Sequence, residues 1–373
     1  MNFIYIDNAA TTSVEPLVVE VMTEVLNNIY GNPSSIHSFG RQAKVVVEDA
    51  RKKIAELINV VPSEIFFTSG GTEAVNTAIN GCINGLKIKS IITSEIEHSA
   101  VLNTLKKFSN KIKLNFVKLD NKGTIDSNNL EELLKINSNA LVILMHANNE
   151  IGNLLSIKET GEICEKHNAL FFSDTVQTIG KYKIDFSNLN IHFAACSAHK
   201  FHGPKGAGFL YVKNGIMINP LLLGGSQELN MRAGTENIAG IAGMVKALEI
   251  AYNDNEKNML HIKNLKDYLI QQLKNNFEDI VFNGDCEERG LYNLINISFP
   301  KTEKSEMIIY NLDIAGIAVS SGSACTSGVN KPSHVLKALN YDANRPIIRV
   351  SLSKYNTKNE IDFFVEKLRE IMD

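Results

Sequence analysis

Apolar side chains along the first two thirds of the chain follow two spacings, one typical of helices and one typical of strands. Residues 14–29 and 38–59 show the helical spacing, with Ser13 as a predicted cap and Pro16 in the first turn. Further helical patterns cover 72–84 and 156–167. Short apolar runs predict seven strands, at 65–68, 90–93, 113–117, 141–146, 170–174, 192–196 and 208–212. This alternation predicts an α/β fold with a mostly parallel central sheet.

The pattern changes after a long helical region that begins near Glu236. Beyond it, strands are predicted at 291–299, 317–320 and 347–352, and helices at 303–312, 332–339 and from Thr357 onward. Such a mixture predicts a smaller α+β domain. We therefore expect a large domain over residues 15–255 and a small domain built from 1–14 and 256–373.

Composition narrows the classes of function. The 373 residues are 44% hydrophobic and 21% charged, with a net charge of −3 and no basic tract that would indicate nucleic acid as a partner. No apolar stretch approaches the roughly 20 residues that span a bilayer, and residues 1–7 lack the pattern of a signal peptide. The five cysteines form no CxxC pair, and the nine histidines form no HExxH motif. We expect a reduced, cytoplasmic protein without a disulfide framework or a zinc site.

Two turns that follow predicted strands are candidates for ligand binding. The run Thr68-Ser69-Gly70-Gly71-Thr72-Glu73 leads from a strand into a helix, where backbone N–H groups and the Thr72 hydroxyl would suit a phosphate. The alternative is a capped helix after a tight turn. Asp174 ends a buried strand at the place where ligands bind in open α/β sheets, or else it caps a helix.

Lys200 and Cys325 are candidates for covalent chemistry because of the residues that surround them in the sequence. Lys200 follows an apolar strand and lies between His199 and a Gly-Pro turn, whereas most lysines are solvated surface charges. A lysine forms a Schiff base when its surroundings lower its pKa. Cys325 lies in a run of Ser, Gly, Ala and Thr at 320–328, which predicts an exposed, mobile loop where a thiol could act as a nucleophile. The other four cysteines are predicted to be structural.

Several motifs taken together resemble the cysteine desulfurases of the NifS/IscS type. They lie at residues 5–12, 31–37, 147–152, 197–208, 232–237, 320–327 and 349–352, so the resemblance runs nearly from end to end. It implies the fold type I of transferases that depend on pyridoxal phosphate (PLP). In that fold a large domain contains a mostly parallel seven-stranded sheet, and a smaller α+β domain carries the catalytic cysteine loop.

The resemblance also implies roles for individual residues. Lys200 would hold PLP as a Schiff base, with His98 stacked on the ring as a further catalytic residue and Cys325 as the sulfur carrier. Asp174 would pair with the pyridine nitrogen, and Gln177 would touch the ring hydroxyl. Further cofactor contacts are implied for Gly71, Thr72, Asn149, Ser197, His199 and, from the partner subunit, Thr235. Substrate contacts are implied for Asn32, Asn149 and Arg349, the last as a bidentate clamp on the α-carboxylate.

The implied reaction converts L-cysteine to L-alanine through a quinonoid and a ketimine, and it leaves a persulfide on Cys325. The implied partners are a second copy of the chain and a sulfur acceptor, either a NifU/IscU-type iron–sulfur scaffold or a tRNA thiolation enzyme. Cys325 is also a candidate iron–sulfur ligand. The alternatives are a selenocysteine lyase, an aminotransferase, a cysteine hydrolase and a PLP-free binding scaffold. The cysteine loop argues against the aminotransferase, and Lys200 together with the phosphate turn argues against the hydrolase.

Overall fold

A seven-stranded sheet forms the centre of the molecule in the computed structural model, which describes residues 3–302, 305–321, 333–342 and 344–372. Its strands are, in order across the sheet, β2 (Ile65–Thr68), β8 (Gly208–Val212), β7 (Phe193–Ser197), β6 (Leu170–Asp174), β5 (Ala140–Ile143), β3 (Ser90–Thr93) and β4 (Lys113–Phe116). Strand β8 is antiparallel to both of its neighbours, and all other pairs are parallel. The predicted α/β fold and its seven strands are confirmed, although β5 ends three residues earlier than the sequence indicated.

Helices cover both faces of this sheet. They are α1 (Pro16–Asn28), α2 (Ser38–Ile58), α3 (Gly71–Gly85), α4 (Ser99–Lys107), α5 (Ser127–Ile136), α6 (Ile157–Lys166) and α7 (Ile238–Asn253). Side chains alternate across each strand, so Phe171 packs with α1, α2 and α7 on one face while Phe172 packs with α3 and α4 on the other. Both rings are fully buried. Because the sheet is covered on both faces, its strands read as continuous apolar runs.

The first helix corrects one detail of the sequence prediction. Helix α1 begins at Pro16 with Glu15 at the N-cap position, and no side chain caps it, so the prediction of Ser13 as the cap is wrong. Proline at the first helical position supplies the required φ, and its missing N–H group is one of those that stay unpaired at the start of a helix. The backbone of Glu15 instead donates to the carbonyl of His202, which ties the start of α1 to the turn after β7.

A second region follows α7, beginning with α8 (Asn255–Asn276). It contains an antiparallel sheet of β12 (Ile347–Ser351), β10 (Leu294–Ser298) and β9 (Val281–Phe282), and a parallel pair of β1 (Ile4–Tyr5) with β11 (Ile317–Ala318). Its helices are α9 (Ile308–Ile314), α10 (His334–Ala338) and α11 (Lys358–Met372). Apolar side chains from α8, α9, α11, β1, β10 and β12 form a separate core cluster. The N-terminal strand therefore packs with the C-terminal third of the chain.

Two predicted elements of this region are shorter or shifted in the structure. The strand predicted at 317–320 is shorter in the structure, where it is β11. The helix predicted at 303–312 is shifted in the structure, where a short 3₁₀ turn at Ser305–Met307 precedes α9. Residues 303, 304 and 332 of the predicted helices lie outside the described residues. Among the helices that the structure describes, none is both long and apolar enough to cross a membrane.

Candidate active site

One cleft lies where the carboxyl ends of β6 and β7 meet the start of α3 and the middle of β12. Its empty space, part of which is open to bulk solvent, is about 1140 Å³. Ten of the residues singled out from the sequence line it: Gly71, Thr72, His98, Asn149, Asp174, Gln177, Ser197, His199, Lys200 and Arg349. They come from positions as far apart in the chain as 71 and 349. The fold therefore gathers these scattered side chains at one place.

Lys200 enters the cleft from a short 3₁₀ turn, Ala198–Lys200, that directly follows β7. Its Nζ donates to the carbonyls of Ala9 at 2.6 Å and Ala10 at 2.8 Å. The backbone of the same turn accepts a hydrogen bond, because the Thr12 N–H donates to the carbonyl of His199. The N-terminal segment thus forms part of the wall around this amine.

Asp174 is the last residue of β6, and its side chain is buried in the cleft. One of its oxygens, Oδ1, accepts a hydrogen bond of 3.0 Å from the Val176 N–H. Burial raises the pKa of Asp174, and its electrostatic interactions with His98 and Lys200, together with the hydrogen bond from Val176, partly oppose that rise. A carboxylate in this setting is stabilised by a further cation placed beside it.

His98 lies at the N-cap of α4 and lines the same cleft. Its Nδ1 accepts a hydrogen bond of 3.1 Å from the Ala100 N–H, which fixes the ring and assigns the remaining proton of the neutral imidazole to Nε2. The preceding residue, Glu97, is fully buried and accepts from the Met145 N–H through Oε1. Its Oε2 has no hydrogen-bond partner among the described residues, and burial raises the pKa of Glu97 well above its usual range.

The start of α3 forms the end of the cleft that suits an anion. Gly70 precedes the helix with a φ of 149°, and a Cβ at Gly71 would lie only 2.6 Å from the side chain of Val176. The tight turn therefore needs both glycines. Free N–H groups at the start of a helix attract a phosphate. Glu73 of the first turn is paired with Arg232, Nε to Oε1 at 2.8 Å, so its negative charge opposes an anion less strongly.

Ser197 and His199 supply further polar groups to the cleft. Ser197 ends β7 beside Gly70 and Gly71, and the His199 Nδ1 lies 3.1 Å from the hydroxyl of Thr11. Burial, together with the charges of Lys200 and other lysines, lowers the pKa of His199 to about 4. The imidazole is therefore neutral at pH 7, where it offers one donor and one acceptor.

Gln177 is held by a buried lysine that the sequence reasoning missed. The Gln177 Nε2 donates to the Ala9 carbonyl at 3.0 Å, while the Lys181 Nζ donates to the Gln177 Oε1 at 3.1 Å and to its backbone carbonyl at 2.9 Å. Burial and the charge of Lys200 lower the pKa of Lys181 to about 7. Helical spacing gave no signal for this contact, because Gln177 and Lys181 lie in turns and not in a helix.

Arg349 approaches the cleft from β12, the strand of the second region. Its side chain is 1% exposed. One terminal nitrogen donates to the Asn149 carbonyl at 2.8 Å, and the other pairs with the Asp7 Oδ1 at 2.7 Å. The Nε is buried without a hydrogen-bond partner among the described residues. This guanidinium keeps N–H groups for a ligand that carries a carboxylate.

One more side chain of the cleft, His334, and one that contacts a cleft residue, Ser333, follow Cys325 in the sequence. His334 lines the cleft, and its Nε2 lies 2.9 Å from the carbonyl of Glu97. The Ser333 hydroxyl donates to the carboxylate of Glu150, next to Asn149. The sequence reasoning missed His334 and Ser333, because nothing in the local pattern distinguishes them from ordinary residues at the start of a helix.

Two predicted site residues do not line the cleft of the single chain, and a third lies outside the described residues. Asn32 and Thr235 are both exposed, and Asn32 instead accepts a hydrogen bond from the Ser34 N–H within its own turn. Cys325 lies outside the described residues. The cysteines that the structure does describe are buried, namely Cys82, Cys164, Cys196 and Cys286. Burial raises the pKa of each of their thiols, which opposes formation of a reactive thiolate.

The groups in the cleft fit PLP. An amine on Lys200 matches the aldehyde, and the buried carboxylate of Asp174 matches a protonated pyridine nitrogen. The glycine turn at the start of α3, with Thr72 and Ser197, matches the phosphate. The guanidinium of Arg349 lies in the same cleft and matches the carboxylate of an amino acid.

Comparisons with known proteins agree with this fit. The family model "Aminotransferase class-V" matches residues 4–364. The cysteine desulfurase IscS of Dictyoglomus turgidum is 42% identical over 99% of this chain and 94% of its own length. A solved structure of a NifS-like protein has a TM-score of 0.92 at 37% identity, covering 100% of this chain and 99% of the other. The structure of SspA in complex with cysteine has a TM-score of 0.81 at 30% identity, covering 95% of this chain and 99% of the other. The chain therefore belongs to the class-V aminotransferase family and, within it, to the cysteine desulfurases.

Proposed function

We propose that this protein removes sulfur from L-cysteine, releases L-alanine and carries the sulfur as a persulfide on Cys325. The observation that carries the proposal is the single cleft that joins the Lys200 amine, the Asp174 carboxylate and the Arg349 guanidinium. It occurs in a chain that is 42% identical, over nearly its whole length, to a cysteine desulfurase. A structural relative has cysteine bound.

The cofactor is PLP, which supplies an electron sink for negative charge at the substrate Cα. Lys200 would hold its aldehyde, and Gly71, Thr72, Ser197 and His199 would hold its phosphate. Asp174 would keep a proton on the ring nitrogen, since a buried carboxylate is stabilised by that positive charge. His98, with its ring fixed by the Ala100 N–H, would stack on the ring face, and Gln177 would reach the ring hydroxyl.

Substrate binding and proton transfer are assigned to different side chains of the cleft. Arg349 and Asn149 would bind the α-carboxylate, and the buried guanidinium makes that contact selective for ligands that carry a carboxylate. The Lys200 Nζ would move the proton of the substrate Cα, because a lysine amine in a cleft can act as a general base. The neighbouring carbonyls of Ala9 and Ala10 orient that amine.

The sulfur step balances without an external oxidant. The Cys325 thiolate attacks the sulfur of the substrate, an S–S bond forms, and the bond between sulfur and Cβ breaks. The electron pair of the broken bond stays on carbon, and two protons convert that carbon skeleton into L-alanine with its methyl group. Cys325 suits this role better than the four described cysteines, which are buried and have raised pKa values.

The active unit is proposed to be a homodimer in which Thr235 contacts the phosphate bound by the other subunit, and Asn32 acts on the substrate from an interface position. Both residues are exposed in the single chain. Exposed apolar side chains lie near each of them in sequence, Tyr30 and Ile36 on one side and Leu223 and Leu229 on the other. Such exposed apolar residues are typical of a subunit interface.

Three further assignments are part of the proposal. The first is a division into domains, 15–255 against 1–14 with 256–373, which the separate apolar cluster of the second region supports. The second is a cytoplasmic location. The third is a sulfur acceptor in iron–sulfur cluster assembly or tRNA thiolation, with the former supported by the name IscS of the relative.

The decisive experiment is to mix the purified holoenzyme with L-cysteine and to measure alanine and sulfide, with and without an added thiol. Without added thiol we expect a burst of about one equivalent of alanine per site, followed by slow turnover in which only the thiol of the substrate removes the persulfide sulfur. With added thiol we expect continuous release of alanine and sulfide, because the thiol reduces the persulfide. The Cys325→Ser variant should keep the visible absorbance of the bound cofactor and lose persulfide formation.

The matched control is Cys286→Ser, which removes a buried thiol from the same region of the chain. We expect it to keep full sulfur transfer. Pyruvate or a new amino acid in place of alanine would show a lyase or an aminotransferase and would refute the proposal. If sulfur transfer survived in Cys325→Ser and was lost in Cys286→Ser, the carrier would be Cys286 and the assignment to Cys325 would be wrong.

A further inference from the structure

Asp7 lies between Arg349 of the cleft and Ser320, which follows β11. Its Oδ1 accepts from the Arg349 guanidinium at 2.7 Å and from the Ser320 hydroxyl at 2.9 Å. The backbones of Arg349 and Ser320 are also paired, with the Arg349 N–H donating to the Ser320 carbonyl at 2.6 Å. One carboxylate oxygen therefore joins three segments of the chain.

The guanidinium of Arg349 is almost completely removed from solvent, and its side chain is 1% exposed. An uncompensated buried charge costs several kcal/mol, so a buried arginine needs an anion beside it when no ligand is bound. Asp7 is that anion, and its own side chain is 14% exposed. No other carboxylate among the described residues lies within 4.0 Å of the Arg349 nitrogens.

The contacts also fix how the guanidinium is turned. Of its five N–H groups, one goes to the Asn149 carbonyl and one to Asp7, and the other three have no hydrogen-bond partner among the described residues. The unpaired Nε belongs to this remaining set. The two acceptors lie far apart in the sequence, at residues 149 and 7, and together they hold the plane of the guanidinium.

We infer that Asp7 is a positioning residue for substrate binding: it holds Arg349 in the one orientation that can clamp the α-carboxylate of the amino acid. This inference rests on the proposed function and extends it to a residue that does not itself touch the substrate.

Orientation and charge make opposite demands on this residue. As a charge, Asp7 repels the incoming carboxylate and weakens its attraction to Arg349. As an anchor, it saves the substrate the cost of ordering a long, flexible side chain. The side chain is buried and held by two hydrogen bonds, and a bidentate contact depends strongly on geometry. We therefore expect the anchoring effect to exceed the loss of attraction.

The test uses holoenzyme with the Cys325→Ser substitution, so that no sulfur is transferred while ligands bind. Changes in the visible absorbance of the cofactor give the affinity for L-cysteine and for cysteamine, which has the same thiol and amine but no carboxylate. With Asp7→Ala added, we expect the affinity for L-cysteine to fall about 10- to 100-fold, the value of a hydrogen bond to a charged group. Cysteamine should bind as before.

Asp7→Asn provides the conservative replacement. It keeps an oxygen acceptor for Arg349 and Ser320 and removes the charge, so it should retain affinity for L-cysteine to within about threefold. Ser320→Ala leaves the pair of Asp7 and Arg349 in place and should behave the same way. Asp279→Ala is the matched control, because it removes a carboxylate paired with Arg345 in the same region. It should change neither ligand.

The inference is refuted if Asp7→Ala leaves binding of L-cysteine unchanged, tightens it, or weakens cysteamine equally. A tightening would identify Asp7 as a competing charge, and an equal loss would identify a general structural role. If Asp7→Ala does not fold with cofactor bound, Asp7→Asn alone decides: a loss above tenfold that is confined to L-cysteine would contradict anchoring by geometry. If the parent Cys325→Ser protein shows no spectral response to L-cysteine, the proposed function fails and this inference is not the cause.

Discussion

The two walls of the cleft are built in different ways. One wall, the sheet wall, consists of Asp174 and Lys200 at or just after the carboxyl ends of neighbouring parallel strands. The other, the arginine wall, consists of Arg349 with its anchors Asp7 and Asn149. Side chains of the sheet wall follow directly from a strand and its turn. The arginine wall depends on a pair separated by 342 positions in the sequence.

This difference separates two tasks. The sheet wall holds the groups that fit the cofactor, and its geometry comes from a sheet whose strands are buried on both faces. The arginine wall holds the group that fits the carboxylate of the substrate, and its geometry comes from ion pairs and hydrogen bonds. We therefore expect substitutions in the sheet wall to change the chemistry, and substitutions in the arginine wall to change the affinity for L-cysteine.

The largest effect is expected for Asp174→Asn in the sheet wall. The amide fills the same space and cannot keep a proton on the ring nitrogen, so kcat should fall about 100- to 1000-fold, as for other groups that stabilise charge in a transition state. Covalent attachment of the cofactor to Lys200 should persist in its absorbance spectrum. Alanine release in the first turnover is the measurement. A decrease below fivefold would remove Asp174 from the proposed role.

A smaller effect is expected for Arg349→Lys in the arginine wall. Lysine keeps the positive charge and loses the planar pair of donors, so kcat/KM for L-cysteine should fall about 10- to 100-fold. The loss should be in KM, with the cofactor spectrum unchanged. Initial rates over a range of L-cysteine concentrations give both values. If kcat fell while KM stayed constant, the proposed separation of tasks between the walls would be wrong.

The smallest effect is expected for Lys181→Met, which tests how a buried amine beside the sheet wall changes the free energy of unfolding. Burial lowers the pKa of Lys181 from 10.5 to about 7 in the folded protein. Below about pH 7 the amine is protonated in both states, and the cost of burying its charge is fully present. Between about pH 7 and 10.5 the unfolded state binds more protons, so the free energy of unfolding rises with pH.

The variant lacks this contribution. The stability of the wild type relative to Lys181→Met should therefore increase by about 2 kcal/mol from pH 7 to pH 9, one pKa unit being worth about 1.4 kcal/mol. Urea unfolding of both holoenzymes at pH 7, 8 and 9 provides the comparison. Parallel stabilities over this range would show that Lys181 is not a buried amine with a lowered pKa. Lys263→Met, at an exposed position, serves as the control and should show no such trend.

Sequence patterns were sufficient to predict the strands of the sheet wall and the glycine turn beside it. The strand ending at Asp174 and the helix after Gly70-Gly71 could be predicted because apolar runs and glycine turns act over a few residues. Local patterns were less reliable at the ends of elements. At the start of α1, for example, Glu15 and not Ser13 occupies the N-cap position. They did not identify Lys181, Glu97 or His334, because a local pattern does not record that a polar side chain will be buried or which backbone groups it will contact.

The sequence by itself determined the α/β fold and the family, and it singled out Lys200 and Asp174 as candidate site residues, since these inferences depend on apolar periodicity and on motifs that lie within short stretches. Only the tertiary structure decided that Arg349 meets Asp7 and Asn149 inside the same cleft. The physical reason is that a buried ion pair forms where packing excludes water, and no local spacing in the chain records which distant carboxylate will be buried beside a given arginine.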